Sequence, residues 1–413
     1  MLRWAVVAGV GVLAWMVAAC ASQPDLARVP QASPAVLAPW RGDGAVMSAA
    51  DWTGRRAPLL REAFQDLVYG RMPDLPAAVV ELREALPLED VGAARIEQWV
   101  VRLGEGAGAP RFHILLALPP GPGPAPLVIA ELFCGLRAAA PGRPEAVFED
   151  PDATPGVCRS DIADPLAQLV FGRRINGPPI VGLTDRGYAV AMIYPAEVVP
   201  DEGERAPAAL ARLQPDVPAE RRAGALAVWA ALFSRTLDVL EADSRIDAAR
   251  TAFWGHSRHG KAALLAGAFD PRPAAVIAHQ SGRGGASLTR SPAGETVAQI
   301  TGSYGYWFSP AFRRAGAADI DQHMLIALNA PRPVLIGAGL GDGWSDPAGG
   351  FRAAQGADPV YRLMGSRGLT AQGLGDFDPE AGLVIWSRPG GHGVTTGDWQ
   401  AFERFLAVVF GGG

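Results

Sequence analysis

The sequence lacks a basic run. Its 413 residues carry 37 Lys and Arg against 42 Asp and Glu, a formal net charge of −5 at pH 7. No stretch concentrates the positive charge that a nucleic-acid partner requires. An internal repeat of solenoid period is missing too, which excludes a repeat array, and no break in composition divides the folded part. Cysteine is scarce, with three in all. Cys134 and Cys158 either pair or stay apart, one at a strand end and one in a loop. The single long apolar run, Trp4 to Ala19, is short for a membrane span.

That run is the first feature that is present. Arg3 precedes it, and it closes on Val17-Ala18-Ala19-Cys20. A positive residue, an apolar stretch and small residues before a cysteine predict a lipoprotein-type signal peptide over 1–19, with Cys20 lipidated. The alternative is an ordinary secretory signal cut nearby, for instance after Ala21. Either exports the chain, to the periplasm or to a membrane face held by the lipid. Residues 20–50, rich in Pro, Ala and Ser, read as a tether.

Residues 51–413 read as one domain. Asp51 to Gly70 has helical spacing. Short apolar runs at 95–102, 112–118, 127–133, 187–194, 251–254, 274–279, 333–338 and 384–387 suit buried strands. Helical patterns at 223–242, 261–269 and 399–410 lie among them. The stretches 138–179 and 195–218 read as loops. Strands alternating with helices predict an α/β fold, a mostly parallel sheet with helices on both faces.

The chemistry centres on Gly255-His256-Ser257-Arg258-His259-Gly260, between an apolar strand and an Ala/Leu-rich helix. Strand, sharp turn bearing serine, helix is the context of a nucleophile elbow. The spacing is one residue longer than the common G-x-S-x-G. A serine hydroxyl needs a base, and His392, in a Gly-rich loop after the last strand, stands where an α/β-hydrolase supplies it. A carboxylate must orient that base. The loop after the preceding strand offers Asp342 first and Asp346 as the alternative acid. His113 reads as a structural strand residue, and His279 and His323 either line the site or fill the core.

These residues resemble the G-x-S-R-x-G-K elbow of the glucuronoyl esterases, carbohydrate esterase family 15. Further markers follow in order, among them Tyr69-Gly70-Arg71-Met72-Pro73, Pro200-Asp201, Ser281-Gly282-x-Gly284-Gly285, Gly294-Glu295-Thr296-Val297 and Trp344-Ser345-Asp346-Pro347. The resemblance implies an α/β-hydrolase fold and a serine esterase that needs neither metal nor cofactor. Its substrate would be an ester of (4-O-methyl-)glucuronic acid, as in glucuronoxylan or lignin–carbohydrate linkages. Ser257 would be the nucleophile, His392 the base and Arg258 an oxyanion donor, with Lys261, Glu295 and Trp344 on the sugar. Otherwise Glu295 is a solvated helix-end charge and Trp344 a core aromatic. Many members place the acid directly after the strand that follows the elbow; here that position is Gln280, which leaves the role to Asp342 or impairs activity. Two alternatives stand beside this reading. One is an acetyl or feruloyl carbohydrate esterase. The other is a non-catalytic glycan-binding surface lipoprotein.

Overall fold

The computed structural model describes residues 24–106, 108–140, 142, 144–148, 171–172, 174–315 and 319–411. Nine strands form one sheet: β1 (Ala78–Ala85), β2 (Arg95–Leu103), β3 (Arg111–Leu118), β4 (Ala125–Glu131), β5 (Ala189–Ile193), β6 (Ile246–His256), β7 (Ala275–His279), β8 (Val334–Gly339) and β9 (Leu383–Arg388). Their order is β1-β2-β3-β5-β4-β6-β7-β8-β9. The first three strands and β5 pair antiparallel. From β5 to β9 every pairing is parallel. This is the mostly parallel α/β sheet that the strand–helix alternation predicts, and the α/β-hydrolase architecture that the resemblance implies.

The pleat explains why the buried stretches of the central strands are apolar on successive residues. Successive side chains point to opposite faces. Leu127, Ile129, Phe253, Val276, Val334 and Ile336 enter one core. Val128, Ala130, Ala252, Trp254, Ile277 and Leu335 enter the other. Helices cover both. The first core packs against α1 (Ala57–Phe64), α2 (Ala206–Leu213), α3 (Ala225–Leu240), α4 (Arg258–Phe269) and α5 (Pro347–Leu363). The second packs against α6 (Thr396–Phe410), whose Trp399 lies 5.0 Å from Trp254 between ring centroids.

Three expectations change. The stretch expected as a tether is folded onto the domain from residue 24 onward, with Val29, Val36, Trp40 and Val46 buried. The physical cause is a set of backbone carbonyls that need donors. Arg56, fully buried, donates to Val36 O at 2.7 Å and to Ala38 O and Gly44 O at 2.9 Å. His323 Nε2 sits 2.9 Å from Pro34 O, and Arg352 donates to Leu26 O at 2.9 Å. Second, α2 forms inside the stretch 195–218 expected as loop. Third, β1 and α5 were not foreseen from the pattern. Cys134 is disulfide-bonded; Cys20 and Cys158 lie outside the described residues, as does most of the excursion 138–179. Among the described residues no helix is long and apolar enough to cross a membrane.

Candidate active site

Strands β6 to β9 end at one edge of the sheet; Ser257 and Gln280 directly follow β6 and β7, and Asp342 and His392 lie in the loops after β8 and β9. The rule that ligands bind outside the carboxyl ends of parallel strands applies here. Ser257 follows β6 in a strained backbone conformation, φ +55° and ψ −120°. Residues in such sparsely populated regions cost ~1–3 kcal/mol and persist only where the surroundings fix them. The fixing contacts are short. Ser257 N donates to His279 O at 2.9 Å, and Lys261 N donates to Ser257 O at 3.1 Å as α4 begins. A Cβ at Gly255 would overlap the His259 carbonyl, so the strand can meet the helix only with glycine there. The longer G-x-S-x-x-G spacing has its own reason. Gly260 lies inside the first turn of α4 and closes against the carbonyls of Gly255 and His279, where a Cβ would come within 3.0 Å of each.

His392 reaches this edge from the loop after β9. Its Nδ1 lies 2.7 Å from Asp342 Oδ2. A ring protonated on Nδ1 therefore donates to the carboxylate and leaves Nε2 as the basic nitrogen. Asp342 is buried; burial opposes its charge, but the His392 ring and the hydrogen bonds from His392 and Ser345 hold its carboxyl below the usual range. The His256 ring, one residue before the serine, packs against His392 at 4.6 Å between centroids. Burial drives His256 far below the ordinary histidine range, so a neutral ring backs His392. Among the described residues Ser257 Oγ has no hydrogen bond to His392; such contacts are often long in free enzymes and tighten with substrate.

Asp346 faces elsewhere. Its Oδ2 accepts from Ser287 Oγ at 2.7 Å and its Oδ1 from Gly349 N at 2.9 Å, capping α5. Gln280 has a different job from an acid. From φ +48° its Nε2 donates to Gly391 O at 3.0 Å while its Oε1 accepts from Gly393 N at 2.8 Å. The two bonds bracket His392, and only an amide supplies both a donor and an acceptor.

Arg258 is largely buried and bonded to Asp201. Lys261 is the chain's single lysine among 37 basic residues. It is buried, donates to Ser281 O, and is pulled below the ordinary lysine range by that burial. Glu295 is likewise buried rather than solvated; desolvation pushes its carboxyl up while Lys261 pulls it back, and its Oε1 has no partner. Trp344 is not a core residue, since 45% of it is exposed. The remaining histidines are tied into the scaffold. His113 Nδ1 meets Glu197 at 2.8 Å, His259 Nδ1 meets Glu131 at 3.0 Å, and His279 Nε2 meets Gly393 O at 3.0 Å.

Two site residues escaped the sequence reading. Ser345 Oγ donates to Gln280 O at 3.1 Å and lies 3.2 Å from His392 Nδ1, joining the acid loop to the base. Asp201 lies 57 positions from Arg258. Each sits within a marker of the resemblance, the only signal that singles it out.

A family model described as glucuronyl esterase, fungi, matches residues 217–365. Carbohydrate esterase MZ0003, from an unknown prokaryotic organism, is 34% identical over 389 residues, 89% of this chain and 87% of that protein. The 4-O-methyl-glucuronoyl methylesterase of Phanerochaete carnosa is 35% identical over 156 residues, which span 35% of this chain and 38% of that one. Among solved structures, a promiscuous family 15 esterase from a marine bacterial metagenome superposes with a TM-score of 0.79 at 32% identity, covering 94% of this chain and all of the other. A glucuronoyl esterase from Solibacter usitatus superposes with a TM-score of 0.77 at 28% identity, covering 93% of this chain and 100% of its own. The chain belongs to carbohydrate esterase family 15, the glucuronoyl esterases.

Proposed function

We propose that the enzyme cleaves esters of (4-O-methyl-)glucuronic acid with Ser257 as nucleophile, His392 as base and Asp342 as the orienting acid. The observation that carries the reading is the 2.7 Å contact between His392 Nδ1 and Asp342, beside a serine held in a strained elbow. Ser257 Oγ attacks the ester carbonyl as His392 Nε2 takes its proton. The tetrahedral oxyanion is held by Arg258 and backbone N–H groups at the elbow. His392 then gives the proton to the departing alcohol, leaving the uronoyl ester on Ser257. Water, deprotonated by His392, attacks that ester; the uronate leaves and Ser257 regains its proton. Lys261, Glu295 and Trp344 bind the sugar, the first two as buried polar groups and the third as a solvent-facing ring.

A second reading is a broader ester scope, supported by a relative described as promiscuous. Kinetics on benzyl glucuronate beside acetyl and feruloyl sugar esters separate the two. Turnover of benzyl glucuronate with the higher kcat/KM is expected; turnover of the acetyl or feruloyl esters alone would sink the uronate assignment.

We also propose that the chain is an exported lipoprotein anchored through Cys20, on the strength of Val17-Ala18-Ala19-Cys20 after an apolar run. Cys20→Ala should move the protein from the membrane fraction to the soluble one. Unchanged membrane retention would count against the anchor.

A further inference from the structure

Arg258 is held from several sides. Its Nη1 donates to Asp201 Oδ2. Its guanidinium lies over three aromatic rings, 4.7 Å from the centroid of Trp307, 4.8 Å from Phe133 and 5.4 Å from Tyr304. The second oxygen of Asp201 is also occupied, accepting from Tyr306 Oη at 2.7 Å and from Trp307 Nε1 at 2.8 Å. Trp307 therefore both fixes the carboxylate and supplies a face for the cation the carboxylate holds. Tyr304 stacks on Trp307 at 4.0 Å with the ring planes 7° apart, which stiffens the wall. Val199, two residues before Asp201, accepts from Trp229 Nε1 at 3.1 Å, so the loop bearing the carboxylate is tied to α3.

A free arginine side chain has many rotamers and would lose entropy on meeting a short-lived anion. Here that ordering is complete before substrate arrives. Arg258 Nε is shut away from water and has no acceptor in the protein. A donor without an acceptor in the resting enzyme, on the residue next to the nucleophile, is what a preorganised oxyanion site contains.

We infer that Asp201 is a positioning residue for catalysis: with Tyr306 and Trp307 it fixes Arg258 beside Ser257 so that the guanidinium is in place when negative charge develops. The inference rests on the reading of Arg258 as an oxyanion donor. Asp201 touches no reacting atom. It acts only through Arg258, and that dependence makes it testable.

Asp201→Asn keeps the shape and removes the charge. Arg258→Gln removes the donor itself. Both single variants and the double variant are assayed on benzyl glucuronate, with thermal melting to confirm folding. Affinity for an arylboronic acid, which adds to serine as a tetrahedral anion, is measured beside affinity for the product glucuronate. Arg258→Gln should lose on the order of 10²-fold or more in kcat, the usual cost of one oxyanion donor. Asp201→Asn should lose about 10-fold to 100-fold in kcat with KM nearly unchanged, and weaken boronate binding but not glucuronate binding. The double variant should be no slower than Arg258→Gln, because nothing is left to position. Tyr306→Phe should give a smaller loss of the same kind, and it carries the test if Asp201→Asn fails to fold. If Arg258→Gln keeps normal kcat, the oxyanion reading falls and the inference with it. If Arg258→Gln is slow but Asp201→Asn and Tyr306→Phe are normal, or the losses multiply in the double variant, the inference alone is overturned.

Discussion

Replacing Asp342 by asparagine changes one atom type at the centre of the site. In the native enzyme a carboxylate oxygen 2.7 Å from His392 Nδ1 accepts a hydrogen bond from its N–H, so Nε2 is left without a proton and free to take one. An asparagine amide turned with its NH2 toward Nδ1 favours the opposite tautomer, with the proton on Nε2 and no base facing Ser257. The charge matters as well. Asp342 is 3% exposed, and a buried carboxylate next to imidazolium stabilises it strongly as the proton moves. Burial opposes its charge, but the His392 ring and the hydrogen bonds from His392 and Ser345 outweigh that desolvation and hold the carboxyl below the usual range, which favours its ionised form. The precedent for a triad acid turned amide is a loss on the order of 10⁴-fold in kcat, or about 5 kcal/mol of transition-state stabilisation. Asp346→Asn is the control. Asp346 caps α5 and holds Ser287, so this change should cost ~1 kcal/mol of stability and little activity. Steady-state kinetics on benzyl glucuronate with thermal melts for both variants decide the matter. Near-normal kcat in a folded Asp342→Asn enzyme, with a severe loss in Asp346→Asn, would refute the assignment.

Three other changes test the surrounding groups. Gln280→Glu removes the donor to Gly391 O and sets two carbonyl-type oxygens face to face, so kcat should fall roughly 10-fold to 100-fold, the kinetic equivalent of ~1–3 kcal/mol; unchanged or raised activity would mean that a carboxylate there serves His392. Trp344→Ala should raise KM more than it lowers kcat and shift stability by only about 0.5 kcal/mol, as its exposure implies; a large drop in melting temperature would contradict a sugar-facing role. Burial holds Lys261 below the ordinary lysine range, so if its charged form binds the sugar, KM should rise with pH before a free lysine would titrate. Lys261→Arg, which does not titrate, should raise KM outright and flatten that limb; a wild-type profile in the variant would dissociate Lys261 from binding.

The parts of the fold that were legible are those where burial dictates composition. Strands β4, β5, β7 and β8 and the second half of β6 are buried on both faces and read as near-continuous apolar runs. The edge strand β1 is exposed over most of its length and carries Glu81, Arg83 and Glu84, so it has no such signal. Helix α5 was hidden for a different reason. It contains Gly349, Gly350, Gly356 and Pro359, which lower helix propensity. The glycines are there for space: a Cβ at Gly356 would overlap Ala32 and crowd His323, and one at Gly349 would overlap Asp346. The folded stretch 24–50 is the other side of that contact. At the site, the elbow and His392 were legible because the first directly follows a strand and the second lies in the glycine-rich loop after the last strand. Asp342 and Asp346 could be ranked by position, but only the turn of the chain between them decides which carboxylate meets the ring. The clamp on Arg258 is built across a 57-residue separation, which local pattern does not encode.

The most direct measurement is a titration of the folded enzyme with a serine-directed fluorophosphonate, followed by peptide mapping and assay of residual benzyl glucuronate hydrolysis. One label per chain on Ser257, activity falling in proportion to it, and slower labelling in the presence of glucuronate are the expected results. Full activity after complete labelling, label on another residue, or no adduct in a folded sample would contradict Ser257 as the nucleophile of a uronoyl esterase.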